Sequence, residues 1–459
     1  MMMSDALPGI KRFLAAAKLD PLAQGYVIQF IATFIGHCGR MSASQAAQTI
    51  RTQARHRASV VRFLAKQGWS GNWCVLEQLA ELVLQAEVAR GGTWVFLVDQ
   101  TLCGQQGQKT ENTFSTGNRK RRPCKTRRYQ KYKYARKSCH CFVMGLLLTP
   151  SGLRLPCWRS YYTEAYCAQK KRPYRKQTEL AAELIAAALV PAGAEVVVLG
   201  DTAFDAACIR DACAARGFSW IVPMNPERVL AGPKGKRPKV RSLLEEFSTD
   251  QFAPVRLTPG QGRFVAQRRI ARCRLGPKVK TRTWYVHGER RKVHSVGEVQ
   301  LVFSTKEQPK QGKAVQVEKI LMTNDCTRSV ADVVELYTLR WQIELFFKEL
   351  KSTLGLHQYR FRSFAKVEAW VALCLVTFVY LEWYRASQLR HRDLTPKQKA
   401  WWRWQRSYGL SLAVRQQAEE TELAQLAKWT QTRLGLQKLK RLLRAARPLE
   451  YRHAAKKPA

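Results

Sequence analysis

The sequence predicts an α/β fold, a mixed sheet interrupted by a β-rich insertion and flanked by helical regions at both ends. Three observations predict it. Apolar β-forming runs alternate with helical segments through residues 91–225. Short alternating runs without helical spacing fill 226–325, and helical spacing dominates residues 1–90 and 326–459. A chain of 459 residues is long for one ordinary domain, so two to four modules are expected. The expected divisions are 1–90, 91–225, 226–325, 326–385 and 386–459.

Each element has its own reason. Segments 21–36, 43–53 and 56–67 carry helical spacing, and Ser42 with Gln45 matches a capping box. The third of these places His56, Arg57, Arg62 and Lys66 around an apolar Val60, Val61, Phe63 and Leu64 set. Residues 93–99 (TWVFLVD) are β-formers ending in a carboxylate. Runs 140–149 and 153–158 read as strands joined by a Pro150-Ser151-Gly152 hairpin turn. A helix over about 177–189 precedes a buried-type strand, 195–201 (EVVVLGD), which also ends in a carboxylate. Helix 203–216 and strand 219–223 follow. Hairpins followed by βαβ units imply a mixed sheet. Beyond the insertion, helices run from about 329 to 385. The remainder is helical, basic and Trp-rich around 401–404.

Composition narrows the partner. There are 78 Lys and Arg against 34 Asp and Glu, a formal net charge of +44. Self-repulsion of that size opposes compaction unless a polyanion is near. Nucleic acid is the expected partner, since bound Lys and Arg displace its condensed counterions. The helices of residues 1–90, the third of them basic, resemble a small DNA-binding bundle; a helical cap on the next domain is the alternative. Residues 109–137 hold a basic run centred on Arg119, Lys120, Arg121, Arg122, Arg127 and Arg128. It is expected to contact DNA backbone, against the plainer reading of a solvated loop. Trp284 is expected to pack in a core more readily than to stack on a base.

Other classes recede. The thirteen cysteines include no Cys-x-x-Cys pair, and the dense Cys139-His140-Cys141 group sits in an apolar run. Buried free thiols in a reducing cytosol are expected. No secretory leader is visible, and the apolar stretch Ala369 to Leu381 is flanked by Glu368 and Glu382. It is shorter than the roughly 20 residues a bilayer needs. A buried core helix, no membrane and a cytoplasmic location are expected.

Three acids stand where chemistry is possible. Asp99 and Asp201 each end a β run, where an α/β sheet leaves a crevice. Neighbouring central strands would bring them together. Asp201 precedes a helix, so N-capping is its structural alternative, as it is for Asp205. Residues 337–352 (YTLRWQIELFFKELKS) carry the third acid. With about 100° per residue, Tyr337, Arg340, Glu344 and Lys351 share one helix face within roughly 60°. Leu336, Leu339, Ile343, Phe346 and Leu350 share another. A surface salt bridge between Arg340 and Glu344 explains two of the four polar residues.

The pattern Tyr337-x2-Arg340-x3-Glu344-x6-Lys351 resembles the Tyr-Arg-Glu-Lys signature of bacterial insertion-sequence transposases with a DDE triad. Asp99 and Asp201 fit the first two carboxylates, and the β-rich segment before Glu344 is similar to that group's insertion subdomain. The resemblance covers about residues 90–385. It implies an RNase H-like core in which Asp99, Asp201 and Glu344 hold two Mg²⁺ ions, with Mn²⁺ able to substitute. It implies hydrolysis at element ends followed by strand transfer into target DNA, with Tyr337, Arg340 and Lys351 contacting phosphates. A homodimer holding two ends of double-stranded DNA is implied too. An RNase H-like nuclease that cuts without joining, a non-catalytic DNA-binding protein of this fold and a basic RNA-binding factor are the competing readings.

Overall fold

A computed structural model describes residues 8–36, 42–47, 55–66, 69, 73–85, 87, 91–105, 110–115, 138–232, 238–257, 264, 282–311, 315–387, 417, 423, 426–427 and 429–445. Among them lie ten strands: β1 (Trp94–Gln105), β2 (Phe114–Ser115), β3 (Ser138–Leu148), β4 (Arg154–Ser160), β5 (Val196–Leu199), β6 (Ser219–Pro223), β7 (Ala253–Leu257), β8 (Arg282–Val293), β9 (Gly297–Thr305) and β10 (Lys319–Thr323). The helices are α1 (Pro8–Leu14), α2 (Pro21–Gly36), α3 (Ala43–Ala47), α4 (Arg57–Ala65), α5 (Cys74–Leu84), α6 (Glu164–Lys170), α7 (Gln177–Ala186), α8 (Ala207–Ala215), α9 (Val240–Glu246), α10 (Val330–Thr338), α11 (Trp341–Ser352), α12 (Phe364–Ser387) and α13 (Arg433–Ala445).

All ten strands form one sheet in the order β2-β3-β1-β5-β6-β10-β9-β8-β7, with β4 beside β3. The first half follows from the chain's own punctuation. Strands β3 and β4 are joined by the expected hairpin, in which Gly152 adopts φ 84°, a conformation a side chain would oppose. Strands β1, β5 and β6 are parallel, which requires crossovers, and α8 supplies the one from β5 to β6. An antiparallel β4-β3-β1 ribbon continued by parallel β5 and β6 is an RNase H-like α/β core.

The strands of the 226–325 segment do not build a sheet of their own. β10 pairs antiparallel with β6, and β9, β8 and β7 add on in turn. The insertion therefore prolongs the core sheet, and the chain re-enters α10 straight from β10. The alternating pattern of these strands reads as β structure but carries no information about which distant strand they join.

The apolar stretch Ala369 to Leu381 lies inside α12, and its residues are almost wholly buried. The helix is long and apolar enough, by length and composition, to cross a membrane. Here α2, α4 and α5 pack round it instead. Trp370 meets Phe34 edge-on at 5.1 Å between ring centroids, and Phe13 meets Tyr380 at 5.3 Å. The N-terminal helices and the sheet thus share one apolar core. Residues 48–53, 67 and 401–404, where helix was expected, lie outside the described residues.

A buried ionic knot ties the sheet to the helices. Arg154 on β4 donates to Glu382 of α12 at 3.0 Å and to Glu349 of α11 at 2.8 Å, and Arg385 reaches Glu382 at 3.3 Å. Glu382 is fully buried. Removing one partner of a buried pair strands the other charge. Glu382→Ala is therefore expected to cost about 3–5 kcal/mol in urea unfolding. A loss within about 0.5 kcal/mol, the range of surface substitutions, would contradict the knot's importance.

Candidate active site

The site begins with a mismatch of strand lengths. The parallel pairing of β1 with β5 ends at Leu97 and Leu199, where β5 stops. β1 runs on to Gln105, paired along that stretch with β3. Asp99 is therefore inside a strand rather than at its end, a correction to the sequence expectation. The residues after it, QTLCGQ, are too mixed in polarity to read as strand. Asp99 and Asp201 each stand two residues beyond the last parallel pair, Asp99 on β1 and Asp201 in the turn by which the chain leaves β5, close enough for the charge of one to act on the other. The crevice lies where β5 leaves β1 uncovered.

Asp201 does cap the turn that follows, its Oδ1 accepting from the Ala203 N–H at 2.8 Å. No hydrogen bond engages its Oδ2 among the described residues. Asp205 is spent on ion pairs with Arg210, at 2.6 Å, and Arg228.

The third acid comes from α11. The expected single helix is two: α10 ends at Thr338 and α11 starts at Trp341. Between them the backbone tightens into i→i+3 bonds, Leu339 N to Leu336 O at 2.9 Å and Arg340 N to Tyr337 O at 3.1 Å. The apolar set Leu336, Leu339, Ile343, Phe346 and Leu350 is buried, as its spacing predicts. The tightened turn separates the polar residues. Tyr337 is buried, and its hydroxyl donates to the Gly200 carbonyl at 3.4 Å, next to Asp201. Burial pushes that phenol well above its ordinary range. Arg340 turns outward to Asp99, at 3.4 Å, and to Glu344. Lys351 donates to the Leu102 carbonyl at 3.0 Å, on the overhanging part of β1.

Asp99 bears the cost of this crowding. Its carboxyl is pushed up from 3.8 to about 6, first by burial and then by the charges of Asp201 and Glu344. The Gln100 N–H at 2.7 Å and the Arg340 guanidinium pull the other way without cancelling the rise. Side-chain exposure is 15% for Asp99 and 35% for Glu344, so the crevice is reachable from solvent.

The donor set suits a hard divalent cation: three carboxylates, all oxygen, at one opening of the sheet. Among the described residues, no three acidic, imidazole or thiol side chains form a ready metal cage. Arg340 stands between Asp99 and Glu344 and pairs with both. Ions of the Mg²⁺ type seldom rely on an all-protein cage and take further oxygens from water and phosphate.

Lys319 was not singled out from the sequence. It opens β10, and its ammonium lies 4.9 Å from the Tyr337 ring centroid. Arg340 and Glu344 are close enough to act on its charge, and burial with the Arg340 charge lowers its pKa. Nothing in its local pattern announces it, because the β6–β10 pairing brings it here. Arg57 and Arg62 are exposed on α4, whose other face is buried, and no contact joins them to the carboxylates among the described residues. Arg119, Lys120, Arg121, Arg122, Arg127 and Arg128 lie outside the described residues. Trp284 is partly buried against the core, with the Lys306 ammonium 5.1 Å from its ring centroid.

The profile of the Transposase DDE domain family matches residues 90–380, well over half of the chain and the whole of this site. The chain belongs to the DDE transposase family. No curated protein matches it.

The raised carboxyl of this transposase has a consequence for its stability. Asp99 binds its proton more tightly folded than unfolded, so its ionisation opposes folding. The penalty is absent below about pH 4, grows as pH rises towards 6 and is complete above that. In metal-free buffer at pH 7, Asp99→Asn should stabilise the protein by roughly 1–3 kcal/mol. The gain should vanish near pH 4. Thermal denaturation across pH checks this; a variant destabilised at pH 7 would refute the electrostatic account.

Proposed function

We propose that this transposase serves a bacterial insertion sequence, hydrolysing phosphodiester bonds at the element ends and joining the freed 3′-ends to target DNA, each 3′-hydroxyl attacking a target phosphodiester and displacing its 3′-oxygen. Asp99, Asp201 and Glu344 are the catalytic carboxylates in this reading, and they would hold two Mg²⁺ ions, for which Mn²⁺ could substitute. The observation that carries it is the convergence of the three carboxylates. Asp99 on β1 and Asp201 in the turn after β5 each lie two residues past the last parallel pair, the charges of Asp201 and Glu344 act on Asp99, and Arg340 links Asp99 to Glu344. Bound there, such ions would supply activation of the attacking oxygen and charge neutralisation at the leaving one.

The chain's own residues have distinct parts. Arg340 bridges Asp99 and Glu344 in the free protein and offsets part of their charge, and a phosphate offers its planar fork another bidentate partner. Lys351 and Lys319 present further cations beside the crevice. Tyr337 acts through its bond to Gly200, holding the turn that carries Asp201, rather than as a phosphate contact or a nucleophile. Residues 1–90 and the basic run 109–137 contact DNA outside the site. A homodimer holds two ends together, in the cytoplasm, and α12 is a core helix rather than an anchor.

The test uses purified protein, duplex DNA spanning the sequences that flank its gene, and Mg²⁺ or Mn²⁺. Glu344→Gln should reduce cleavage by at least about a hundredfold while leaving DNA binding intact. Joined products from the wild type support transposition. Cleavage without joining would favour a nuclease, and binding without cleavage in either ion would favour a non-catalytic DNA-binding protein.

A further inference from the structure

The loop between β4 and α7, residues 161–176 (YYTEAYCAQKKRPYRK), takes no part in the carboxylate site. It holds five Lys or Arg, four Tyr and a single acid, Glu164. Such runs are often no more than solvated charge. This one is built. Asn112, at φ 54°, clamps both sides of its start, donating to the Tyr161 carbonyl at 2.9 Å and accepting from the Thr163 N–H at 2.9 Å. Thr163 in turn caps α6 through the Tyr166 N–H at 3.2 Å. The Arg172 guanidinium lies 4.4 Å from the Tyr162 ring centroid, and the Tyr162 hydroxyl donates to buried Glu368 at 2.5 Å. Tyr161 and Tyr174 meet hydroxyl to hydroxyl at 3.2 Å.

This scaffold leaves Lys170, Lys171 and Lys176 exposed, and among the described residues none of them pairs with a carboxylate. Its position is fixed by register. Asp99 pairs with Met144, and Met144 with Trp158, so Trp158 sits level with Asp99 two strands away. That is roughly 10 Å across the sheet. β4 runs in the same direction as β1, since each is antiparallel to β3. The loop therefore leaves the sheet on the side where β1 overhangs β5, and the Tyr161 N–H bonds to the Cys141 carbonyl at 3.1 Å.

We propose that residues 161–176 form a preformed cationic platform that binds the phosphate backbone of the DNA duplex leading into the carboxylate site. The proposal rests on the reading of that site as one acting on DNA. Unpaired ammonium groups on a rigid support bind a polyanion without the ordering cost a mobile run would meet. Lys170, Lys171 and Lys176 are the contacts, and the tyrosines and Asn112 hold them in place.

The test is the salt dependence of binding by the full chain to a fluorescein-labelled duplex of random sequence, without divalent ions. Replacing Lys170, Lys171 and Lys176 together by Gln should flatten the slope of log K against log salt by about 2–3, near 0.9 per phosphate lost. The triple Arg variant should restore it. The melting temperature should not move, because the three side chains are exposed. On a cleavable substrate KM should rise and kcat stay unchanged. A Gln variant with the wild-type slope overturns the proposal. A wild type that binds but never cleaves, with the slope still falling in the variant, overturns the assigned activity and leaves the platform standing. A wild type without salt-dependent binding overturns both.

Discussion

Strand β5 has four residues and β1 has twelve, and this mismatch opens the sheet where Asp99 and Asp201 stand. Had β5 continued alongside β1, the level of the two acids would be filled by paired strand and closed to solvent. Instead the chain leaves β5 through Gly200 and Asp201, and β1 continues with an uncovered flank. Lys351 meets that flank at the Leu102 carbonyl, and Tyr337 meets the departing turn at Gly200. Both come from the α10–α11 region, so the residues that border the crevice also fasten the element that completes it.

The same opening sets the electrostatics. Burial and the charges of Asp201 and Glu344 act together on Asp99, a state that favours a proton on it. The raised Asp99 carboxyl is the sign of it. One guanidinium, from Arg340, offsets the repulsion only in part. The raised Asp99 carboxyl shows that the nearby cations leave this repulsion incompletely offset. The family match over residues 90–380 agrees with that economy of charge. Further back, Arg154 holds α11 and α12 against β4, keeping the Glu344 helix in register with the sheet.

Much of this was legible in the residues. The runs TWVFLVD and EVVVLGD announced two core strands, and the spacing of Leu336, Leu339, Ile343, Phe346 and Leu350 announced the buried face of the Glu344 helix. Other features were hidden for physical reasons. The overhang of β1 passes through polar Gln100 and Thr101, which only the pairing with β3 makes strand. The tightened turn at Leu339 and Arg340 is invisible because the apolar positions fit one helix equally well. The union of the insertion with the core sheet, and with it the arrival of Lys319, depends on pairings between distant strands that no local pattern records. The anchoring of residues 161–176 is not legible in their own sequence, since it comes from Asn112 and Glu368, far away in the chain.

The central claim is that Asp99, Asp201 and Glu344 act as one anionic site that takes a divalent cation. Asp201→Asn tests it most directly. An Asn side-chain oxygen can still accept from the Ala203 N–H, so the turn keeps its cap while the site loses a charge. The measurement is the melting temperature as Mn²⁺ is titrated into wild type and variant. A ligand that binds the folded state raises it with concentration. The account predicts a rise for the wild type and little or none for Asp201→Asn over the same range. Equal rises in both proteins would contradict it.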